Sequence, residues 1–134
     1  MVKLTEEMKD GFSKVKIFPF ATASKDGVPN VIPIGMCQLV DDETIWVTDN
    51  YFLKTRENLE ENPKASIFVW GPEVGGCFQI KGDAEIKTEG EDYEKAHAMA
   101  KSRNDKLPAK ALIVLKINSV YECKSGADAG KQIL

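Results

Sequence analysis

The segment that decides the fold spans residues 48–63 and reads TDNYFLKTRENLEENP. It predicts the end of a strand and then a short helix from about Leu53 to Glu61. Asn62-Pro63 stops this helix, because the residue before a proline is disfavoured in helical geometry. The positive charge of Lys54 in the first turn is unfavourable beside the partial positive charge of a helix N-terminus. A bound phosphate would remove this repulsion. The alternative is that Lys54 points into water, at a cost of about a few tenths of a kcal/mol.

The bulk properties indicate one domain covering residues 1–134. The chain has 134 residues, 43% of them hydrophobic, which suits a single core of ordinary size. Its net charge of −3 and its scattered basic residues argue against a nucleic-acid or anionic-membrane partner. The longest apolar run, residues 111–115, is too short to span a bilayer, and the mixed, acidic start of the chain is unlike a signal peptide. We therefore expect a cytoplasmic protein without a membrane segment.

The cysteines and the single histidine predict neither a metal site nor hydrolytic catalysis. Cys37, Cys77 and Cys123 are widely separated and include no CxxC pair, so we expect small buried apolar side chains rather than a disulfide framework. His97 is the only histidine, and it follows Tyr93 by four residues on a predicted helix. Such a spacing favours a packing pair on the helix surface over a catalytic pair.

The first half of the chain predicts a helix and then a hairpin. Leu4, Met8, Phe12 and Val15 recur at helical spacing, and residues 17–24 read as a strand. Asp26-Gly27 is a strong signal for a tight turn into a returning strand. This strand contains Pro29 and Pro33, which cannot donate to a ladder, so one of its sides must be unpaired and open to a ligand.

The remaining pattern predicts further strands and one more helix. Strands are expected at residues 44–48, 65–70, 77–87 and 111–122, with a bend or bulge at Gly82. Thr88-Glu89-Gly90-Glu91 has the form of a capping box that opens a helix running to about Arg103. The total is six or seven strands with two or three helices, joined mostly by short turns. This is an α+β chain, mainly β, and it fits a small antiparallel barrel.

The order of these elements carries a family resemblance. Together with Lys54-Thr55, Asn58-Leu59, Asn62-Pro63 and the segment 79–82, it resembles the pyridoxamine 5′-phosphate oxidase-like FMN-binding split-barrel superfamily, and within it the small single-domain FMN-binding proteins. The resemblance covers nearly the whole chain. It implies a six-stranded antiparallel split β-barrel with two or three flanking helices. It also implies a homodimer with FMN in a groove at the subunit interface.

The resemblance also implies a set of cofactor-binding residues. Lys54 and Thr55 would hold the FMN phosphate, assisted by the helix N-terminus. Val31, Ile32 and Pro33 would line the isoalloxazine or ribityl side. Val47, Thr48 and Asp49 would contact the flavin mainly through their backbone. No catalytic acid or base and no metal ligand is expected, because a bound flavin itself performs the redox chemistry.

One departure from the family argues against pyridoxamine-phosphate oxidase activity. Enzymes with that activity carry arginines near the C-terminus for the substrate's phosphate, whereas this chain has only Arg56 and Arg103 and ends in the Ala- and Gly-containing segment 127–134. We expect this tail to fold against a neighbouring subunit or to cap the flavin.

Three classes of function remain open from the sequence. The first is an FMN oxidoreductase that takes electrons from a nicotinamide nucleotide or another donor. The second is a non-enzymatic FMN electron carrier. The third is a flavin-free β-barrel interaction module that binds a partner through its edge strands. A variant of the same barrel that binds the deazaflavin F420 in place of FMN ranks below the FMN forms. The donor and acceptor are not encoded in any recognisable motif.

Overall fold

The computed structural model describes residues 2–134 as seven strands and three helices, and Met1 of the predicted 1–134 domain lies outside the described residues. The helices are α1 (Glu6–Ser13), α2 (Lys54–Glu61) and α3 (Glu91–Arg103). The strands are β1 (Phe18–Ala23), β2 (Pro29–Ile34), β3 (Cys37–Asp41), β4 (Thr44–Asp49), β5 (Lys64–Val69), β6 (Phe78–Lys87) and β7 (Ala111–Glu122). No helix within residues 2–134 is long and apolar enough to cross a membrane.

All seven strands form one antiparallel sheet in the order β2-β1-β5-β6-β7-β4-β3. The two outermost strands, β2 and β3, are joined in the chain by only Gly35 and Met36. Because so short a link cannot cross an open sheet, the sheet curls until its two edges approach each other. The expected α+β split barrel is therefore confirmed.

The expected number of six strands differs from the observed seven because of β3. This strand lies at an edge of the sheet and its residues are half-buried or exposed. It therefore lacks the alternation of buried and exposed residues that identifies a strand from sequence. Its register also shifts between Leu39 and Asp41, which shortens the regular pairing with β4.

The proline-bearing strand is an edge, as predicted. β2 pairs only with β1, and Pro29 and Pro33 lie opposite Ala23 and Pro19. The exposure of β2 alternates along the strand: Asn30, Ile32 and Ile34 face inward and are partly or fully buried, whereas the residues between them are exposed. One face of this strand thus contributes to the interior, and the other is open to solvent.

The core fills the inside of the curled sheet. Its fully buried side chains come from five strands: Phe20, Ile45, Val47, Ile67, Val69, Ile80, Ile113, Leu115 and Val120. β6 and β7 form the longest pairing, with a register shift between Lys81 and Gly82, where the sequence predicts a bulge. A Cβ atom on Gly82 would overlap the carbonyl oxygen of Lys116, so only glycine allows the two strands this approach.

Helix α3 begins differently from the prediction. Gly90 is its N-cap, with φ of 99° and no side-chain capping bond, so Thr88 does not form the predicted capping box. A cap at Thr88 would place Gly90 inside the first helical turn. The chain instead uses the positive-φ conformation that glycine adopts at little cost, and the helix begins at Glu91, two residues later than a cap at Thr88 would start it.

The C-terminal tail packs against its own subunit rather than extending from it. The N–H of Val120 donates to the carbonyl of Leu134 at 3.1 Å, and that of Glu122 donates to Lys131 at 2.8 Å. Tyr121 and Gln132 form an isolated antiparallel bridge. The tail thus covers the β7 edge beyond the point at which β4 ends. Its expected contact with a neighbouring subunit or a flavin stays a prediction.

The contact at Gly82 gives a stability prediction. Gly82→Ala should lower the free energy of unfolding by about 3 kcal/mol, because the new methyl group must displace the β7 backbone. Urea unfolding followed by circular dichroism measures this change. Gly76→Ala is the control, since nothing lies within 4 Å of a Cβ there, and it should change stability by less than about 0.5 kcal/mol. Equal effects of the two substitutions would contradict the close approach.

Candidate functional site

An open groove of about 370 Å³ lies where the end of β2 meets the segment that follows β4. Its lining is mostly apolar and consists of Ile32, Pro33, Ile34, Gly35, Met36, Thr48, Asn50, Tyr51 and Phe52. Three of the predicted cofactor-binding residues, Ile32, Pro33 and Thr48, are among them. The structure therefore brings the two predicted halves of the site, from β2 and from β4, to one surface.

The other predicted residues of these two strands point elsewhere. Val31 alternates with Ile32, so it faces outward and is 64% exposed. Val47 is fully buried in the core. The N–H of Thr48 donates to the carbonyl of Met36 at 3.0 Å, which leaves its side chain for the groove. A contact by Val47 or Thr48 through the backbone remains a prediction.

Asp49 serves the structure of the site through its side chain. This carboxylate is fully buried, 2.9 Å from the guanidinium of Arg56 and 3.8 Å from the ammonium of Lys110. It also accepts a hydrogen bond from the N–H of Phe52 at 3.0 Å. The end of β4, the groove wall at Phe52 and the first turn of α2 are thereby connected through one buried carboxylate. A buried charge is stable only when it is paired in this way.

The N-terminus of α2 lies next to the groove. Phe52 lines the groove, and Lys54 begins the helix two residues later. The N-cap residue Leu53 makes no side-chain capping bond, so the first N–H groups of α2 have no side-chain acceptor there. The Lys54 side chain is 57% exposed and lies 3.7 Å from Glu57, a loose surface pair of the kind that contributes little.

Thr55 belongs to a buried polar cluster that the sequence analysis did not identify. Asn30 donates to the hydroxyl oxygens of Thr55, at 3.0 Å, and of Thr22, at 3.3 Å. Asn58 donates to the same Thr22 hydroxyl at 3.0 Å, and its own Oδ1 is buried without a partner. Because the Thr55 oxygen accepts a bond from Asn30, its proton remains available to an acceptor outside the cluster.

Two sequence signals could have identified this cluster. Asn30 lies two residues before Ile32, so strand alternation places both on one face. Asn58 lies three residues after Thr55 and four after Lys54, which is the spacing of neighbours on one side of a helix. Strand and helix periodicity together would have extended the predicted site to Asn30 and Asn58.

The arrangement fits a ligand with a flat apolar body and an anionic end. The groove supplies apolar side chains, whereas Thr55, Lys54 and the uncapped helix N-terminus supply donors and positive charge beside it. Such a gradient from apolar lining to a few polar anchors is typical of cofactor sites. The residues present therefore fit FMN, whose ring and phosphate require those two environments.

A second and larger cavity adjoins the groove and shares Gly35 and Met36 with it. It has a volume of about 720 Å³, and its other lining residues are Val15, Lys16, Ile17, Cys37, Arg103, Asn104 and Leu107. Lys16 and Arg103 are the charged residues of this lining, so the cavity carries positive charge. Burial raises the pKa of the Cys37 thiol to about 12, which keeps it protonated at neutral pH.

The Tyr93–His97 pair is a packing pair, as predicted. The Tyr93 hydroxyl lies 3.2 Å from Nδ1 of His97 and donates to the carbonyl of Ala109 at 3.1 Å. The two rings lie 5.5 Å apart, and neither residue lines the groove or the adjoining cavity. Within residues 2–134 no three His, Cys, Asp or Glu side chains are placed to hold a metal ion.

Several solved structures share this fold at low sequence identity. An FMN-binding protein from Syntrophomonas wolfei is 16% identical, with a TM-score of 0.74 over 87% of this chain and 83% of its own. A protein named F420 reductase is 19% identical, with a TM-score of 0.68 over 87% of this chain and 98% of its own. The heme storage protein HutZ from Vibrio cholerae is 20% identical, with a TM-score of 0.60 over 90% and 95% of the two chains. The same architecture thus occurs in proteins named for three different cofactors.

Two closer relatives and a family profile define the family. An uncharacterised protein of Methanocaldococcus jannaschii is 40% identical over 139 aligned residues, which cover 99% of this chain and 89% of that protein. HupZ of Group A Streptococcus is 33% identical, with a TM-score of 0.80 over 95% of this chain and 99% of its own. Residues 4–124 match the profile of the family described as pyridoxamine 5′-phosphate oxidase. This chain therefore belongs to the pyridoxamine 5′-phosphate oxidase family.

Proposed function

We propose that this protein is an FMN-binding flavoprotein that performs redox chemistry through FMN bound at a homodimer interface. The observation that carries the proposal is the N-terminus of α2, where Lys54 and Thr55 lie without a side-chain cap beside an apolar groove. A helix N-terminus with a cation and a free hydroxyl donor is a site for a phosphate. The FMN phosphate is the group we assign to it.

The phosphate end of the site has a defined division of roles. Thr55 is fixed, because the residue is buried and its hydroxyl accepts a bond from Asn30. Lys54 is exposed, and its ammonium forms only a loose pair with Glu57 at 3.7 Å. Thr55 would therefore orient the phosphate, whereas Lys54 would close over it after binding and contribute charge. The cluster of Asn30, Thr22 and Asn58 keeps Thr55 in place and is a positioning device.

The ring end of the site is apolar. Ile32, Pro33 and Phe52 would pack on the flavin, and the hydroxyl of Thr48 would offer it one polar contact. Val31 faces outward from the same strand, so it would reach the flavin or the second subunit only from the outer face. Asp49 would act through its backbone and through the Arg56 and Lys110 pairs that hold the groove wall.

When bound, FMN supplies hydride or single-electron transfer at its ring. The chain's own residues then bind the phosphate, fix the ring in the groove and exclude water from one of its faces. No acid or base is required of them, which agrees with a groove lined mostly by apolar side chains.

The adjoining cavity favours an oxidoreductase over an electron carrier. It opens beside the groove, has about 720 Å³ of space and is positively charged through Lys16 and Arg103. A small anionic donor, such as a nicotinamide nucleotide, would fit that combination of space and charge. A protein that only exchanges electrons with other proteins needs no such cavity.

Two alternatives share parts of this site. F420 carries a similar ring and a phosphate, so the same Lys54 and Thr55 anchor would accept it. Heme iron would have only Met36 or Tyr51 as a ligand in the groove, because neither histidine nor cysteine is among the nine residues that line it. Pyridoxamine 5′-phosphate oxidation is not proposed, because one of the two arginines, Arg56, is already held by Asp49 and cannot take a substrate phosphate.

The phosphate assignment is tested by FMN binding. Lys54→Ala should weaken FMN binding about 10-fold to 100-fold, as expected for the loss of a charge-assisted bond to an anion. Fluorescence quenching of FMN titrated with protein measures the affinity. Lys95→Ala is the matched control, because Lys95 is a similarly exposed helix lysine paired with Glu91 at 3.3 Å, and it should leave the affinity unchanged.

Parallel titrations with F420 and heme complete this experiment. If the protein does not bind FMN but binds F420, and Lys54→Ala weakens that binding, the cofactor assignment would change from FMN to the deazaflavin. Binding of heme alone, or of no cofactor, would refute the flavin assignment.

The oxidoreductase assignment is tested by reduction of the bound flavin. NADH or NADPH should bleach the FMN absorbance of the wild-type protein under anaerobic conditions, and Arg103→Gln should slow that reaction about 10-fold because it removes charge from the adjoining cavity. Stopped-flow absorbance measures the rate, and FMN affinity should stay unchanged in this variant. Flavin that is reduced by dithionite but by neither nucleotide would favour the carrier.

The homodimer is tested at the outer face of β2. Val31, Tyr51 and Leu53 are large apolar side chains that are more than 60% exposed near the groove, as a second subunit would require. Val31→Glu should therefore convert a dimer to a monomer in sedimentation velocity, since burying an unpaired carboxylate is costly. Met99→Glu, an exposed apolar position on α3, should leave the dimer intact. A wild-type monomer that binds FMN fully would refute the interface.

A further inference from the structure

Two of the three cysteines, far apart in sequence, are neighbours in the sheet. β6 and β7 pair with Phe78 opposite Glu122, and the next position of this ladder places Cys77 opposite Cys123. The N–H of Cys123 donates to the carbonyl of Cys77 at 2.9 Å, so the pairing continues one step past the named strands. Both side chains are half-buried, not fully buried as the sequence analysis expected.

The backbone spacing at this position matches that of a disulfide. Directly opposite residues in a hydrogen-bonded antiparallel pair have Cα atoms about 5.5 Å apart. Disulfides most often join Cα atoms at about 5.5 to 6 Å. The two sulfurs could therefore be joined without a shift of strand register.

We propose that Cys77 and Cys123 form a redox site, a reversible disulfide between the ends of β6 and β7 that is made by exchange with a small-molecule disulfide. The oxidant of the two thiols is a small-molecule disulfide such as glutathione disulfide. This site is separate from the proposed FMN site, because neither cysteine lines the groove or the cavity that adjoins it.

The exchange proceeds in two balanced steps. The Cys123 thiolate attacks one sulfur of glutathione disulfide, which forms a mixed disulfide and releases one glutathione. Cys77 then loses its proton and attacks the Cys123 sulfur, which closes the internal disulfide and releases the second glutathione. The cysteine pair loses two electrons, and glutathione disulfide gains them.

The surroundings make Cys123 the attacking residue. Burial raises the pKa of both thiols, which makes them slow at neutral pH. For Cys77, the proximity of Cys123 and Glu122 raises the pKa further. For Cys123, Glu122 also raises the pKa, but the Cys77 thiol and Lys81 both lower it. Lys81 therefore favours the thiolate of Cys123, and no cation has this effect on Cys77.

The site is open to a small oxidant. Cys77 lines an open cavity of about 600 Å³, and neither Cys77 nor Cys123 is fully buried. Cys37 is excluded as a partner by its place in the sheet. It lies opposite Val47 of β4, and Val47 lies opposite Ile113 of β7, which is ten residues from Cys123. That separation is roughly 30 Å along a strand.

The pair is tested by thiol counting and peptide mapping of the native protein. The full chain is incubated with glutathione disulfide, unreacted thiols are blocked under denaturing conditions, and the digest is analysed by mass spectrometry. We expect the free thiols to fall from three to one, with a linked peptide pair containing Cys77 and Cys123, and recovery of all three after dithiothreitol. Three remaining thiols, or a linkage that includes Cys37, would overturn the proposal.

Single variants test the order of the steps. Cys77→Ser should accumulate a stable glutathione adduct on Cys123, because the second thiol that would release it is gone. Cys123→Ser should react much more slowly, and Cys37→Ser should close the disulfide at the wild-type rate. If a variant fails to fold, the linked peptide in the wild-type digest still decides the pairing. Closure in Cys123→Ser, or loss of closure in Cys37→Ser, would overturn the assignment.

Discussion

The buried carboxylate of Asp49 is the constraint on which the candidate site depends. It lies at the end of β4 and binds Arg56 from α2, Lys110 from the segment before β7 and the backbone of Phe52. A buried anion is stable only while such partners remain, so it fixes where α2 begins relative to the sheet. The groove wall and the helix N-terminus are both set by that position. A residue expected to touch a cofactor thus acts first by holding the elements that would touch it.

Preorganisation of the anion end follows from the polar cluster below α2. Asn30 comes from β2, Thr22 from β1, and Thr55 and Asn58 from α2, so three elements meet through hydrogen bonds of 3.0 to 3.3 Å. A rigid donor loses little entropy when a ligand arrives. In the proposed phosphate site, the exposed Lys54 would therefore supply charge and the buried Thr55 would supply geometry.

Local patterns in the sequence predicted the architecture well, and pairings between distant segments limited the prediction of the site. The hairpin at Gly27, the edge strand with Pro29, the bulge at Gly82 and helix α2 were all predicted because each depends on neighbouring residues. β3 was not predicted as a strand of its own, because its half-buried and exposed residues do not alternate in burial. The Cys77–Cys123 neighbourhood was missed because it arises from a pairing between segments far apart in sequence, whereas Asn30 was missed although strand alternation places it on the same face as Ile32.

The prolines of β2 determine how this sheet can meet another chain. Pro19 lies directly opposite Pro33, and since neither has an N–H, this position must be a non-hydrogen-bonded pair, in which the main-chain groups point away from the partner strand. Pro29 and Val31 lie on the same alternating set of positions as Pro33, so their main-chain groups also point away from β1. Because the two prolines have no N–H, only Val31 directs an N–H outward along this strand. Such an edge accepts hydrogen bonds but hardly donates them. Growth of the sheet by strand addition is therefore suppressed at this end, and two copies would associate through their side chains instead.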